Sequence, residues 1–166
     1  MEFSHTTNDR FKPTTKEELK NAVNLWCVDR ESALRNHGNI STWDTSLITN
    51  MAHLFEDKNE FNDPINDWDV SNVTDMMYLF AHATKFNQPL DKWNTSKVDD
   101  MSSMFASAHA FNQPIGMWNT SKVRSCSDMF LYALSFNQDI NDWRTGSLIW
   151  HECMFDEAES FDLKKN

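Results

Sequence analysis

Hydrophobic positions along this chain recur in a fixed register of 25 residues. Trp43, Trp68, Trp93, Trp118 and Trp143 form one column, and Phe55, Phe80, Phe105, Phe130 and Phe155 a second. A third runs Phe61, Phe86, Phe111, Phe136 and Phe161, and the fifth position after each tryptophan is always aliphatic. A fixed period of this length marks repeated units that stack because none can bury its apolar face alone. In the unit that begins at Ser71, residues Val73, Met76, Leu79, Phe80 and Ala83 fall at helical spacing, which predicts a short core-facing helix. The serine column Ser46, Ser71, Ser96 and Ser121 stands where a hydroxyl would cap that helix. Between the helix and the next tryptophan comes a Phe-Asn-x-Pro-aliphatic run, as in Phe86 to Leu90. Proline biases the chain toward extended backbone and suits the start of a strand. A short strand around each tryptophan is therefore expected, pairing in parallel with its copies about 4.8 Å apart. The pattern predicts an α/β solenoid of about five 25-residue coils, each a short helix plus a short parallel strand.

Polar positions keep the same register. Asn62, Asn87, Asn112 and Asn137 follow the third aromatic column, and Asp162 takes that place last. Asparagine suits a turn there, and amides stacked at equal heights can bond from one coil to the next. The residue after each tryptophan, Asp44, Asp69, Asn94, Asn119 and Arg144, should point away from the indole by strand alternation. Together with the pairs that precede each tryptophan, these five make the most variable strip and the candidate protein-binding surface.

Ahead of the coils, Thr15 and Glu18 have capping-box spacing, and Leu19, Ala22, Val23 and Trp26 recur as an apolar stripe. A helix to about Val28 is expected, then a second from Asp29 through Leu34 that stops near Gly38. The organisation expected is a flexible tail over residues 1–12, a helical cap over 13–39 and the coils over 40–166. In the last coil Trp150 stands in an otherwise polar column, and it is expected to fold partly over the open end. Weak end-to-end self-association through this C-terminal coil is expected as well.

Composition narrows the chemistry. A chain of 166 residues with a formal net charge of −10 repels phosphate, so no nucleic-acid partner is expected. Neither a signal peptide nor a stretch of membrane-spanning length is visible, so no membrane insertion is expected. The location implied is a virion or the cell interior if Met1 is the natural start, and the cell surface if the N-terminus is trimmed. Three cysteines, Cys27, Cys126 and Cys153, lack metal-ligand spacing, with Cys126 in a core column and Cys153 partly exposed. His53, His82 and His109 fall in different columns and do not gather into a site. The carboxylates Asp63, Asp67, Asp69 and Asp75 lack the glycine-rich loop of known calcium repeats. Phosphate loops, dinucleotide fingerprints and nucleophile motifs are absent. No catalytic residue, cofactor or metal site is expected, and the chain is not expected to be an enzyme.

The unit SNVTDMMYLFAHATKFNQPLDKWNTSKVDDMSSMF resembles the repeat of BspA-like leucine-rich-repeat surface proteins. It is similar to the form of roughly 25 residues found in Mycoplasma lipoproteins, bacterial surface proteins, protists and large DNA viruses. The match covers about Ile40 to Phe161, and the lead-in from Thr15 resembles the segment that often precedes such arrays. The resemblance implies a leucine-rich-repeat-like α/β solenoid used for protein binding or adhesion, without enzymatic activity. The function expected is thus a non-catalytic protein-binding module whose protein partner the sequence does not name. The alternative is a structural component of a virus particle or other assembly.

Overall fold

A computed structural model describes residues 10–162. Residues 1–9 of the expected tail, with His5, and the last residues of the chain, 163–166, lie outside the described residues.

The cap forms as its sequence dictates. Helix α1 spans Lys16–Val28 and helix α2 spans Arg30–His37, followed by a single 3-10 turn at Ile40–Thr42. Thr15 Oγ1 accepts the Glu18 N–H at 3.1 Å, while the Glu18 carboxylate reaches back to the Thr14 N–H at 2.8 Å. The reciprocal half of the capping box is thus displaced by one residue. Asp29 ends α1 and caps α2, its carboxylate accepting the Ser32 N–H at 3.0 Å. Gly38 closes α2 at φ +69°, a left-handed conformation that glycine adopts without steric cost. The stripe Leu19, Ala22, Val23 and Trp26 is buried. Trp26 meets Trp43 edge-on at 6.1 Å and donates from Nε1 to Asp63 at 2.9 Å. The Arg30 guanidinium makes two bonds to the same carboxylate and lies 4.6 Å over the Trp26 ring. Asp63 therefore fastens the cap to the first coil.

Beyond the cap, the structure overturns the expected α/β solenoid, including its leucine-rich-repeat-like character. Among the described residues no helix follows Thr42, and no strand forms anywhere. Parallel pairing is reduced to isolated bridges that link Asn50, Asp75, Asp100, Ser125 and Trp150 in turn. These bridges lie seven positions after each tryptophan rather than around it.

The reason lies in how the backbone donors are spent. In the second coil Met76, Tyr78, Phe80 and His82 donate their N–H groups to the carbonyls of Asp100, Ser102, Met104 and Ala106 in the next coil. The residues between them, Leu79, Ala81 and Ala83, donate back to Met76, Tyr78 and Phe80 and close tight turns. Alternate donors thus leave the coil sideways, so no run of i→i−4 bonds can form a helix. Consecutive turns also place residues three apart on the inner side, which mimics helical spacing in the sequence. Strands fail for the complementary reason. The chain turns again beside each bridge, as at Val70–Val73 and Met76–Leu79, so pairing cannot propagate.

The turns Met76–Leu79 and Phe80–Ala83 take positive φ at their third residue, as type II turns do. The columns His53, Tyr78, Ser103, Asp128, Cys153 and Asp57, His82, Ser107, Tyr132, Glu157 all have φ between 52° and 62°. None is glycine, so each carries the left-handed penalty of roughly 1–2 kcal/mol, offset by inter-coil bonding.

Inside the coils the three aromatic columns stack. Phe80 lies 5.3 Å from Phe55 and 5.5 Å from Phe105, and within its own coil 4.1 Å from Phe86. Each buried indole also has a partner for its N–H. Nε1 of Trp68, Trp93, Trp118 and Trp143 donates to the carbonyl of Ile40, Ile65, Leu90 and Ile115 respectively, 28 residues back. The asparagine column forms the expected inter-coil ladder. The side-chain oxygens of Asn62, Asn87, Asn112 and Asn137 accept the N–H of Asn87, Asn112, Asn137 and Asp162. The asparagines are not left-handed, since that conformation belongs to the two columns above.

The fifth coil is less enclosed. Trp143, Leu148, Met154, Phe155 and Phe161 are only partly buried. Trp150 stays 49% exposed in the bridge column, and Phe155 stacks on Phe130 and Phe161.

Trp93→Ala is expected to cost about 3–5 kcal/mol, as large core truncations do. Trp93→Phe should cost about 0.5–1.5 kcal/mol from the lost indole bond alone, because the Ile65 carbonyl keeps its bond from the Trp68 N–H. Urea denaturation midpoints test both, and a Phe variant as stable as wild type would remove the indole bond from the account. Ser107→Gly should raise stability by about 0.5–1 kcal/mol by relieving left-handed strain net of glycine's entropy cost. Ser107→Val should lower it by the same measurement.

Candidate functional site

The five strip residues are brought to the same place in successive coils. Asp69, Asn94, Asn119 and Arg144 are exposed and Asp44 is half-buried. Four of them do a common local job. The side-chain oxygens of Asp44, Asp69, Asn94 and Asn119 accept the N–H of Ser46, Ser71, Ser96 and Ser121 at 2.9–3.2 Å. The serine column is therefore held by Asx turns and does not cap helices. Buried threonines tie the strip from coil to coil, as Thr45, Thr95 and Thr120 donate from Oγ1 to the carbonyls of Asp69, Asn119 and Arg144. Arg144 has no oxygen with which to form such a turn, and its coil carries Gly146 in place of the serine.

Asp44 is already engaged. Its N–H donates to the Phe11 carbonyl at 2.9 Å, and its carboxylate meets Lys12 Nζ at 2.8 Å. Phe11 in turn packs edge-on against Trp43 at 5.1 Å. Residues just ahead of the cap thus cover the start of the strip, so the open surface begins at Asp69. The Lys12 ammonium, helped by the Ser46 hydroxyl and N–H, holds the Asp44 carboxyl down to about 2.

Pairs flanking the strip are tied in register. Asn66 Nδ2 donates to Asp91 at 2.9 Å, and Lys92 Nζ reaches Asp67 at 2.6 Å. The fourth coil differs. Gly116 replaces a side chain where a Cβ would stand 2.5 Å from the Asp139 carbonyl, so glycine is required there. Beside it Met117 projects with 86% of its surface exposed, next to Asn119, Asp142 and Arg144 in a shallow depression.

Carboxylates once considered together are separately engaged. Asp63 holds the cap, Asp67 pairs with Lys92, and Asp69 and Asp75 hold the N–H groups of Ser71 and Met77. His53 bonds Glu56 at 2.8 Å and stacks on Tyr78 at 5.0 Å, while His82, His109 and His151 are exposed in other columns. Burial pushes the Cys126 thiol up to about 12, whereas Cys27 and Cys153 are exposed. Among the described residues no helix is long and apolar enough to cross a membrane.

One group escaped the sequence reading. Lys97 and Lys122, three positions after Asn94 and Asn119, stand in register with each other, and Arg124 lies beside them. The signal was present as lysine at matching places in adjacent repeats.

The geometry defines a tandem array of turn-built coils with a helical cap. A family model described as "Mycoplasma protein of unknown function, DUF285" matches residues 26–130 and 89–166. The chain belongs to this family. No curated protein and no solved structure matches it.

The lowered Asp44 pKa sets a pH dependence. The carboxyl ionises more readily folded than unfolded, so the stabilisation it brings is complete above its ordinary value near 3.8. It is lost as pH falls through about 2. A carboxyl carbon NMR titration should place the Asp44 midpoint well below those of exposed aspartates, and Lys12→Ala should return it toward them.

Proposed function

We propose that this chain is a non-catalytic protein-binding module of the BspA-like repeat kind, which engages a protein partner along the strip from Asp69 to Arg144. The observation that carries the reading is the strip's construction. Asx turns hold the backbone at Asp69, Asn94 and Asn119, and the buried Thr95 and Thr120 hydroxyls tie adjacent coils, while the exposed residues vary from coil to coil. A rigid frame with variable side chains lowers the ordering cost of binding. Met117 is the natural anchor, since an exposed methionine beside a depression adapts to a partner's shape. The separate engagement of histidines and carboxylates supports the non-catalytic part of the reading.

A second reading, a structural part of a virus particle or other assembly, draws on the fifth coil. Its half-covered Met154, Phe155 and Phe161 offer apolar surface that a neighbouring subunit would bury in end-to-end contact.

Affinity capture from the native source separates the two. The binding reading expects a substoichiometric partner that is lost with Met117→Glu, while the denaturation midpoint stays unchanged. A stoichiometric place in an assembled particle, insensitive to Met117→Glu, would favour the structural reading and discard the first.

A further inference from the structure

Opposite charges stack in register elsewhere on the coils. Lys85 Nζ lies 2.6 Å from Glu60 and Lys92 Nζ 2.6 Å from Asp67, each pair 25 residues apart. Lys97 and Lys122 are also 25 residues apart, but they are like charges in adjacent coils. Neither lysine is in an ion pair among the described residues, and Lys97 Nζ turns instead to the neutral Asn72 Oδ1 at 2.6 Å. Arg124 lies in the same shallow depression, again outside any ion pair there, with Ser121 and Ser147 at its edge. Asp99 is the one carboxylate in the lining, so three cations against one anion leave a local excess of +2 on a chain of net charge −10. A local excess of positive charge on a protein rich in carboxylates is complementary to an acidic partner.

We infer that the depression formed by Lys97, Lys122 and Arg124 docks an acidic segment of a partner protein. Carboxylates of that segment would pair with Lys122 and Arg124, and the Ser121 hydroxyl would donate beside them. This rests on the protein-binding reading, because the depression adjoins the strip and supplies the charge its partner must carry. A short peptide fits where an extended polyanion does not. The chain's net charge of −10 opposes a nucleic acid or an anionic membrane that reaches beyond the patch. Within a Debye length of roughly 10 Å, the local cations outweigh the distant net charge.

Fluorescence anisotropy with a labelled hexaglutamate peptide at low ionic strength tests the inference on the full chain. Saturable binding that weakens with salt is expected. The double variant Lys122→Glu/Arg124→Glu should lose at least about tenfold in affinity, as removal of paired charges at a docking site does. Lys20→Glu/Lys58→Glu, with the same change in net charge outside the depression, should bind like wild type. No saturable binding, equal loss in the two double variants, or tighter binding of a single-stranded oligonucleotide would each overturn the inference. If hexaglutamate fails to bind while Met117→Glu still releases the native partner, the strip reading stands and the acidic-segment inference falls.

Discussion

Everything in the coils follows from one constraint: every second N–H along the segment after each bridge is committed to the neighbouring coil. Four such donors leave the second coil at Met76, Tyr78, Phe80 and His82, and equivalent sets leave the coils on either side. The intervening donors can then only close turns of their own. Those turns force ten non-glycine residues into left-handed backbone, and they bring the inner side chains into columns. The aromatic stacks are as much a result of this ladder as a support for it. Rings at matching places in adjacent coils have no freedom to avoid one another.

The ladder also explains the choice of side chains that the apolar pattern alone does not. Phenylalanine would forfeit the second bond that each indole N–H adds to the carbonyls of Ile40, Ile65, Leu90 and Ile115, which already accept the backbone N–H of Trp43, Trp68, Trp93 and Trp118. That second bond joins one coil to the next. Asparagine serves the corresponding need at the other edge, where its side-chain oxygen takes the N–H that the next coil presents. Tryptophan and asparagine are therefore connectors, each satisfying a backbone group of an adjacent coil.

Much of this was legible in the sequence and some of it was not. The 25-residue register, the inward columns, the asparagine ladder and the cap with its two helices could be read from spacing and capping chemistry. The local conformation could not. Residues Val73, Met76, Leu79, Phe80 and Ala83 satisfy a helical stripe and a run of tight turns equally well, and a sequence does not state where its amide protons point. Glycine would have announced the left-handed positions, but Tyr78, His82, Ser107 and Glu157 occupy them. The strip's exposure was expected from strand alternation, but no strand forms. Asp69, Asn94 and Asn119 sit in Asx turns instead, and Asp44 is taken by Lys12.

A constant spacing between bonded partners has a consequence for how the chain reaches its structure. Inter-coil bonds join residues 23 to 28 positions apart, from the Ser102 hydroxyl contact with Ser125 to the Trp143 indole contact with Ile115. Each coil added therefore closes a loop of nearly the same length, and the entropy of closure, which grows only logarithmically with loop size, is the same toll at every step. The cap is different. Helices α1 and α2 are made from neighbours in sequence, and through Trp26 and Asp63 they present a finished surface to the first coil. The cap therefore closes on local contacts, whereas bonding between coils closes at the same longer range throughout.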